Sequence, residues 1–144
     1  MAKRAKRKVS ESEWEWYGNA AHLIVGRYCR FHMATVIRGH MISTVGEYVH
    51  PTFCGPNERT ENEWLIKNPW GKEIGCDRKF ETMVFKLGKG SCECGCGIPT
   101  IVPSELDFAG YNTPKDARAG HMRMCHEWAT RLVRVGELKP RRRK

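Results

Sequence analysis

Thr113-Pro114-Lys115-Asp116-Ala117-Arg118-Ala119-Gly120-His121-Met122-Arg123-Met124-Cys125-His126-Glu127-Trp128-Ala129-Thr130-Arg131-Leu132-Val133-Arg134-Val135-Gly136 is the stretch whose reading decides the fold. Thr113 has a side-chain oxygen suited to accept from a free amide of a first helical turn. Pro114 follows it at the position where a missing N–H costs nothing, and Asp116 favours the positive end of a helix dipole. Ala117, His121, Met124, Trp128 and Leu132 then recur at spacings of three and four, which predicts one apolar face on a helix from about 114 to 135. Gly136 is placed to end it. Such a helix must lay that face on another layer.

The segments before it supply the layer. Phe31–Ile37 and His40–Val45 are β-rich runs divided by Arg38-Gly39, which reads as a hairpin. Phe80–Leu87 reads as a strand, with Gly88–Gly97 breaking it, and Ser104–Tyr111 as the next strand, paired to it around the cysteine loop. Glu11–Tyr17 fits either an edge strand or a short helical lead-in. His22–Val25 opens an apolar run, and residues 51–75 hold enough Pro, Gly and Asn to be chiefly loop, with a short helix at Glu61–Lys67. The expected fold is therefore α+β, an antiparallel sheet of about four to five strands covered by a C-terminal helix. It forms a single domain over 11–138, between basic tails at 1–10 and 139–144 that are expected to be mobile.

The 144 residues carry a formal charge of +9, and its distribution matters more than its size. Lys3, Arg4, Lys6, Arg7 and Lys8 at one end, with Lys139, Arg141, Arg142, Arg143 and Lys144 at the other, account for ten of the 25 basic residues; the remaining 15 face all 16 acids. The body is close to neutral, and nucleic-acid contact is expected from the tails, through salt-sensitive attraction to phosphates without sequence readout. No apolar run is long enough to span a bilayer, and no apolar stretch resembling a signal peptide follows the basic start. Seven cysteines, with Cys92, Cys94 and Cys96 too close to pair with one another, point to a reducing compartment and to metal binding or free thiols.

Cys92-Glu93-Cys94-Gly95-Cys96-Gly97 places three thiols on a tightly turning loop, a soft donor set of the kind zinc takes. His121 and Cys125, four apart on the predicted helix, emerge from neighbouring turns of one face. The strand over 104–111 covers about 23 Å at the β rise and the helix to Cys125 returns about 16 Å. The expected metal ligands are accordingly Cys92, Cys94, Cys96, His121 and Cys125, with Zn2+ as the ion; the competing reading makes His121 and Cys125 ordinary packed residues of an apolar helix face. Cys29-Arg30-Phe31-His32 offers a weaker C-x-x-H pair. Glu47, Asp77, Glu81 and Asp107 are dispersed acids, and Gly88-Lys89-Gly90 lacks the context of a phosphate-binding loop. Trp14, Trp16 and Tyr17 beside the basic start have the composition of a base-stacking surface, although alternating aromatics ordinarily pack a core.

Three elements taken together carry a resemblance: Ser43-Thr44-Val45, Glu81-Thr82-Met83-Val84-Phe85 and Ala117-x-x-Gly120-His121, in that order, with Tyr111-Asn112-Thr113 between the last two. From about Trp16 to Ala129 the chain resembles a family of small phage and prophage proteins. The resemblance implies phage origin and a place in the host cytoplasm, and it brings no activity with it. The function expected is that of a phage-encoded accessory protein, non-enzymatic, with zinc stabilisation as one reading of the cysteines, that binds a host or viral macromolecule. A metal-dependent nuclease or hydrolase and a minor virion component are the alternatives.

Overall fold

The structure, a computed structural model, describes residues 7–17, 28–49, 58–74, 77–92, 95 and 97–137. Five strands form one antiparallel sheet in chain order: β1 (Glu15–Tyr17), β2 (Cys29–Ile37), β3 (His40–Tyr48), β4 (Phe80–Ser91) and β5 (Pro99–Tyr111). Helix α1 (Glu58–Lys67) lies between β3 and β4 in the chain, and α2 (Pro114–Glu137) follows β5 and covers the sheet. This is the α+β fold expected, with its C-terminal helix in place.

The hairpin is closed by Arg38 and Gly39, with φ of 41° and 76°, two successive left-handed residues of the kind that match the twist of the strands they join. Its register pairs Thr35 with Ile42 and Met33 with Thr44, and β3 in turn pairs Thr44 with Thr82 and Ile42 with Val84. Alternation therefore sends Thr35, Ile37, Ile42, Thr44, Thr82 and Val84 to the face beneath α2. The helix meets them with Ala117, His121, Met124, Cys125, Trp128, Ala129 and Leu132, all buried. The Thr113 hydroxyl accepts from Asp116 N at 3.1 Å, so the N-cap is the predicted one. On the other face, Val36 and Met41 pack against Ile98, with Leu87 and Ile101 beside them. Arg30 also points that way and pairs with the buried Glu61 of α1 at 2.7 Å.

Several element ends lie two or three residues from expectation, with α1 starting at Glu58 rather than Glu61 and α2 running through Gly136 to Glu137; two differences are larger. The glycines from 88 to 90 do not end β4, which continues to Ser91, and β5 begins at Pro99 rather than Ser104. Bulges absorb the irregularity: the β4–β5 register shifts three times beyond Val84, Gly90 takes φ +81°, and Thr100 Oγ1 donates to the carbonyls of Lys89 and Gly90. The second difference is at the start of the chain. Residues 11–13 form a 3₁₀ turn capped by Ser10 before β1 adds to the sheet edge, so both readings of Glu11–Tyr17 are realised in succession. Val9, expected within a mobile tail, is 1% exposed in the core beside Trp14 and donates its N–H to Ala129 O at 2.9 Å. An apolar side chain among the basic residues is what docks the segment. Val9→Ala should lower the unfolding free energy by about 2 kcal/mol, from two lost methyl groups and the space they leave. Urea denaturation reads this directly, and an unchanged midpoint would mean that the segment contributes nothing to the core. The apolar run expected at His22–Val25 lies outside the described residues.

Candidate functional site

The three sequence elements that carry the phage resemblance meet at one point beneath α2. Thr44 on β3 and Thr82 on β4 are direct cross-strand partners, and their hydroxyls lie 2.7 Å apart. His121 enters from the helix with Nδ1 2.7 Å from Thr44 Oγ1 and Nε2 2.8 Å from Thr35 Oγ1. All four residues are fully buried. A neutral imidazole has one donor and one acceptor nitrogen, and a hydroxyl can turn to serve either. If Nε2–H donates to Thr35, then Nδ1 accepts from Thr44, which accepts from Thr82. In the other tautomer every bond of that row reverses. Both arrangements satisfy each ring nitrogen, which is how a polar cluster is kept in a core without penalty.

Trp16, opposite Thr35 in the β1–β2 pairing and half exposed, sets its ring centroid 6.0 Å from that of His121. Burial pushes the His121 pKa down to about 4, so the ring is neutral at physiological pH. Cys125, one turn along the helix, has its thiol pushed up to about 11 by burial, while a hydrogen bond from Thr35 acts in the opposite direction. A protonated thiol beside a neutral imidazole is the reverse of the thiolate that a cysteine nucleophile requires. Cys29 is held up at about 12, by burial first and then by the charge of Glu81.

Of the expected zinc ligands, the structure describes Cys92, His121 and Cys125. His121 has both nitrogens committed to threonines, and Cys125 is packed beside it in the apolar cluster. Cys92 follows the end of β4, ten residues beyond Thr82, roughly 30 Å along the strand at the usual rise before the bulges shorten it. Its N–H donates to Ile98 O, closing the cysteine loop at the far end of the ribbon. Cys94 and Cys96 lie outside the described residues. Cys29 and His32 are separated by three positions on β2 and so point to opposite faces of the sheet, while His32 Nε2 hydrogen-bonds the Cys29 carbonyl. Among the described residues, no three His, Cys, Asp or Glu side chains converge as metal ligands. The acids are equally dispersed: Asp107 accepts from Trp128 Nε1 at 3.0 Å and pairs with Arg131, whereas Glu81 is raised by burial on the other face.

Of the residues expected to touch nucleic acid, Arg7 and Lys8 are described and exposed, and Lys8 Nζ lies 3.1 Å from His126 Nδ1. Lys3, Arg4, Lys6, Arg141, Arg142, Arg143 and Lys144 lie outside the described residues. Trp14 is core, and Trp16 keeps about half of its surface exposed. Sequence reasoning passed over Thr35, Thr44 and Thr82. The signal available was a threonine within each of three strands, on the face that a histidine-bearing helix must cover.

No family model matches the chain, and no solved structure matches it. Among curated proteins, the chain is similar to a cathepsin B-like protease 1 of Arabidopsis thaliana, 29% identical over 119 residues. The match takes in 81% of this chain and 28% of that protein, so the chain spans less than a third of the relative's length. No helix among the described residues is long and apolar enough to cross a membrane.

Proposed function

We propose that this chain is a phage-encoded accessory protein that acts by binding a macromolecule rather than by catalysis, with its basic ends contacting nucleic acid. The observation that carries this reading is the closed state of the His121 cluster. The histidine on the shared sequence elements spends both nitrogens on threonine hydroxyls, leaving neither free to take a substrate proton. A protease reading, suggested by the name of the Arabidopsis protein, finds little support beside it, because Cys29 and Cys125 are both buried and held protonated. Zinc enters the proposal at the turn bearing Cys92, Cys94 and Cys96, as a stabiliser of the loop, with His121 and Cys125 serving the core instead.

Titration of the full chain with a labelled duplex DNA of mixed sequence, at 50 and 200 mM salt, tests the reading. Neutralising five to ten phosphates should reduce affinity by roughly three to five orders of magnitude across that range. Binding indifferent to salt would contradict the proposal. Cleavage of the duplex on addition of a divalent ion would instead support the nuclease alternative.

A further inference from the structure

Trp16 is the residue of β1 turned towards α2, and 54% of it is exposed although two aromatic rings back it. Its ring centroid lies 6.0 Å from that of His121 and 6.3 Å from that of Trp14, both buried, so the indole is fixed against the core while its exposed half faces solvent. The segment from Val9 to β1 runs antiparallel to α2 along the ridge of Ala129, Cys125, Met122 and Arg118, spaced by four, three and four residues. Val9 donates to Ala129 O at one end of it, and Trp16 stands over His121 at the other. Past Trp16 the ridge continues to Lys115. Lys115 and Arg118 are both exposed, and neither pairs with an acid among the described residues. The acids nearby are engaged or turned away. Glu11 pairs with His126, Glu13 with Arg38, and Glu15 accepts from Tyr17 Oη on the opposite face of β1. Asp116, two residues from Arg118, projects from the far side of the helix.

We infer that this corner of the fold takes an unpaired nucleic-acid base on Trp16, with the flanking phosphates on Lys115 and Arg118; the inference rests on the nucleic-acid reading above and makes a single strand the ligand of this site. A planar indole backed by two rings offers a stacking surface to any base, whereas a duplex holds its bases in its own stack. The two cations leave the first two turns of α2, where the helix dipole adds to their positive potential. Area decides against a protein partner. Half of a tryptophan is on the order of 100 Å², against roughly 800 Å² per partner in a stable protein interface. The other large exposed apolar side chains among the described residues do not extend the patch: Ile66 and Trp70 stand in and just after α1, and Val102, Leu106 and Phe108 on β5 at the opposite edge of the sheet. One base needs no more than one ring.

Fluorescence anisotropy measures the affinity of the full chain for three labelled ligands: an oligothymidylate about ten nucleotides long, an abasic strand of the same length, and a duplex of the same length. The oligothymidylate should bind roughly 5- to 150-fold tighter than the abasic strand, the ratio equivalent to about 1–3 kcal/mol for one stacked base at about 1.4 kcal/mol per tenfold. Trp16→Leu, which keeps an apolar cover over His121, should abolish that advantage and leave duplex affinity unchanged, and Trp16→Phe should retain most of it. Lys115→Gln combined with Arg118→Gln, both exposed, should lower the salt slope for oligothymidylate by about 1.4, at about 0.7 per phosphate. This pair carries the test if the leucine variant fails to fold. An abasic strand bound as tightly as oligothymidylate, an advantage that survives Trp16→Leu, or a salt slope unchanged in the paired variant would overturn the stacking site and leave salt-sensitive binding by the basic ends standing. Loss of duplex affinity in a folded Trp16→Leu chain would overturn it as well, since the indole would then serve something other than an unpaired base. Failure of all three ligands to bind would overturn the nucleic-acid reading itself.

Discussion

His121→Ala is expected to lower the unfolding free energy by about 4 kcal/mol, the largest effect of any single polar side chain here. The substitution removes a fully buried ring and leaves a void beneath α2. It also strands the hydroxyls of Thr35 and Thr44, each of which is fully buried and loses a partner. The same residue should shape the pH dependence of stability. Its folded pKa, about 4, lies below the ordinary value of 6.5, so between these values the unfolded chain binds a proton that the folded chain refuses. The stabilising contribution is complete above pH 6.5 and is lost as the pH falls towards 4, by about 3 kcal/mol in total. Glu81, whose carboxyl burial raises, contributes with the opposite sign, so the informative quantity is the difference between wild type and variant. Denaturant unfolding of both at pH 7, 6, 5 and 4 should show that difference shrinking with acid. Parallel pH profiles would show that His121 is not the group responsible.

The second large effect is expected at Gly46, opposite Phe31 on β2 and Phe80 on β4. A methyl group there would lie 2.0 Å from Phe80 Cδ1, and the Phe80 ring has nowhere to go: it is 1% exposed and set edge-on against Phe31 at 5.2 Å. Gly46→Ala should cost about 3 kcal/mol through overpacking. Phe80→Leu by itself also destabilises, yet the two together should cost less than the sum, since the smaller side chain vacates the space the methyl needs. Strict additivity in a double-mutant cycle would mean that the backbone shifts to accept the methyl and that the close approach is not a constraint.

Local signals in the sequence account for part of this fold. The start and the buried face of the helix are legible because cap, first-turn proline and apolar period agree over more than twenty residues, although α2 runs through Gly136 to Glu137 rather than ending at the glycine; the hairpin is legible because Arg38-Gly39 interrupts two β-rich runs. The length of the β4–β5 ribbon was not, since Gly88 and Gly90 read as strand breakers in isolation and only the partner strand shows them to be bulge positions. Val9 was lost among its basic neighbours for a similar reason: one apolar residue has no period, and its burial depends on a helix 120 residues away. The site was half legible. His121 and Cys125 were correctly placed on one helical face, but their spacing fits packed core as well as metal ligation, and what separates those readings is the identity of the residues across the interface. Thr35, Thr44 and Thr82 come from three strands, a conjunction that no local pattern contains.

An interface built from alanine, methionine and leucine alone resists separation far better than it resists sliding, because oily contacts are nearly interchangeable from one turn to the next. A ring bonded through two atoms that face different strands has no such indifference: shifted by one turn of α2, about 5.4 Å, it would find neither Thr35 nor Thr44. His121 thus acts as an indexing pin for the helix, setting its phase and its height over the sheet. The turn that receives Val9, and with it the segment from Val9 to β1, inherits its position from that pin.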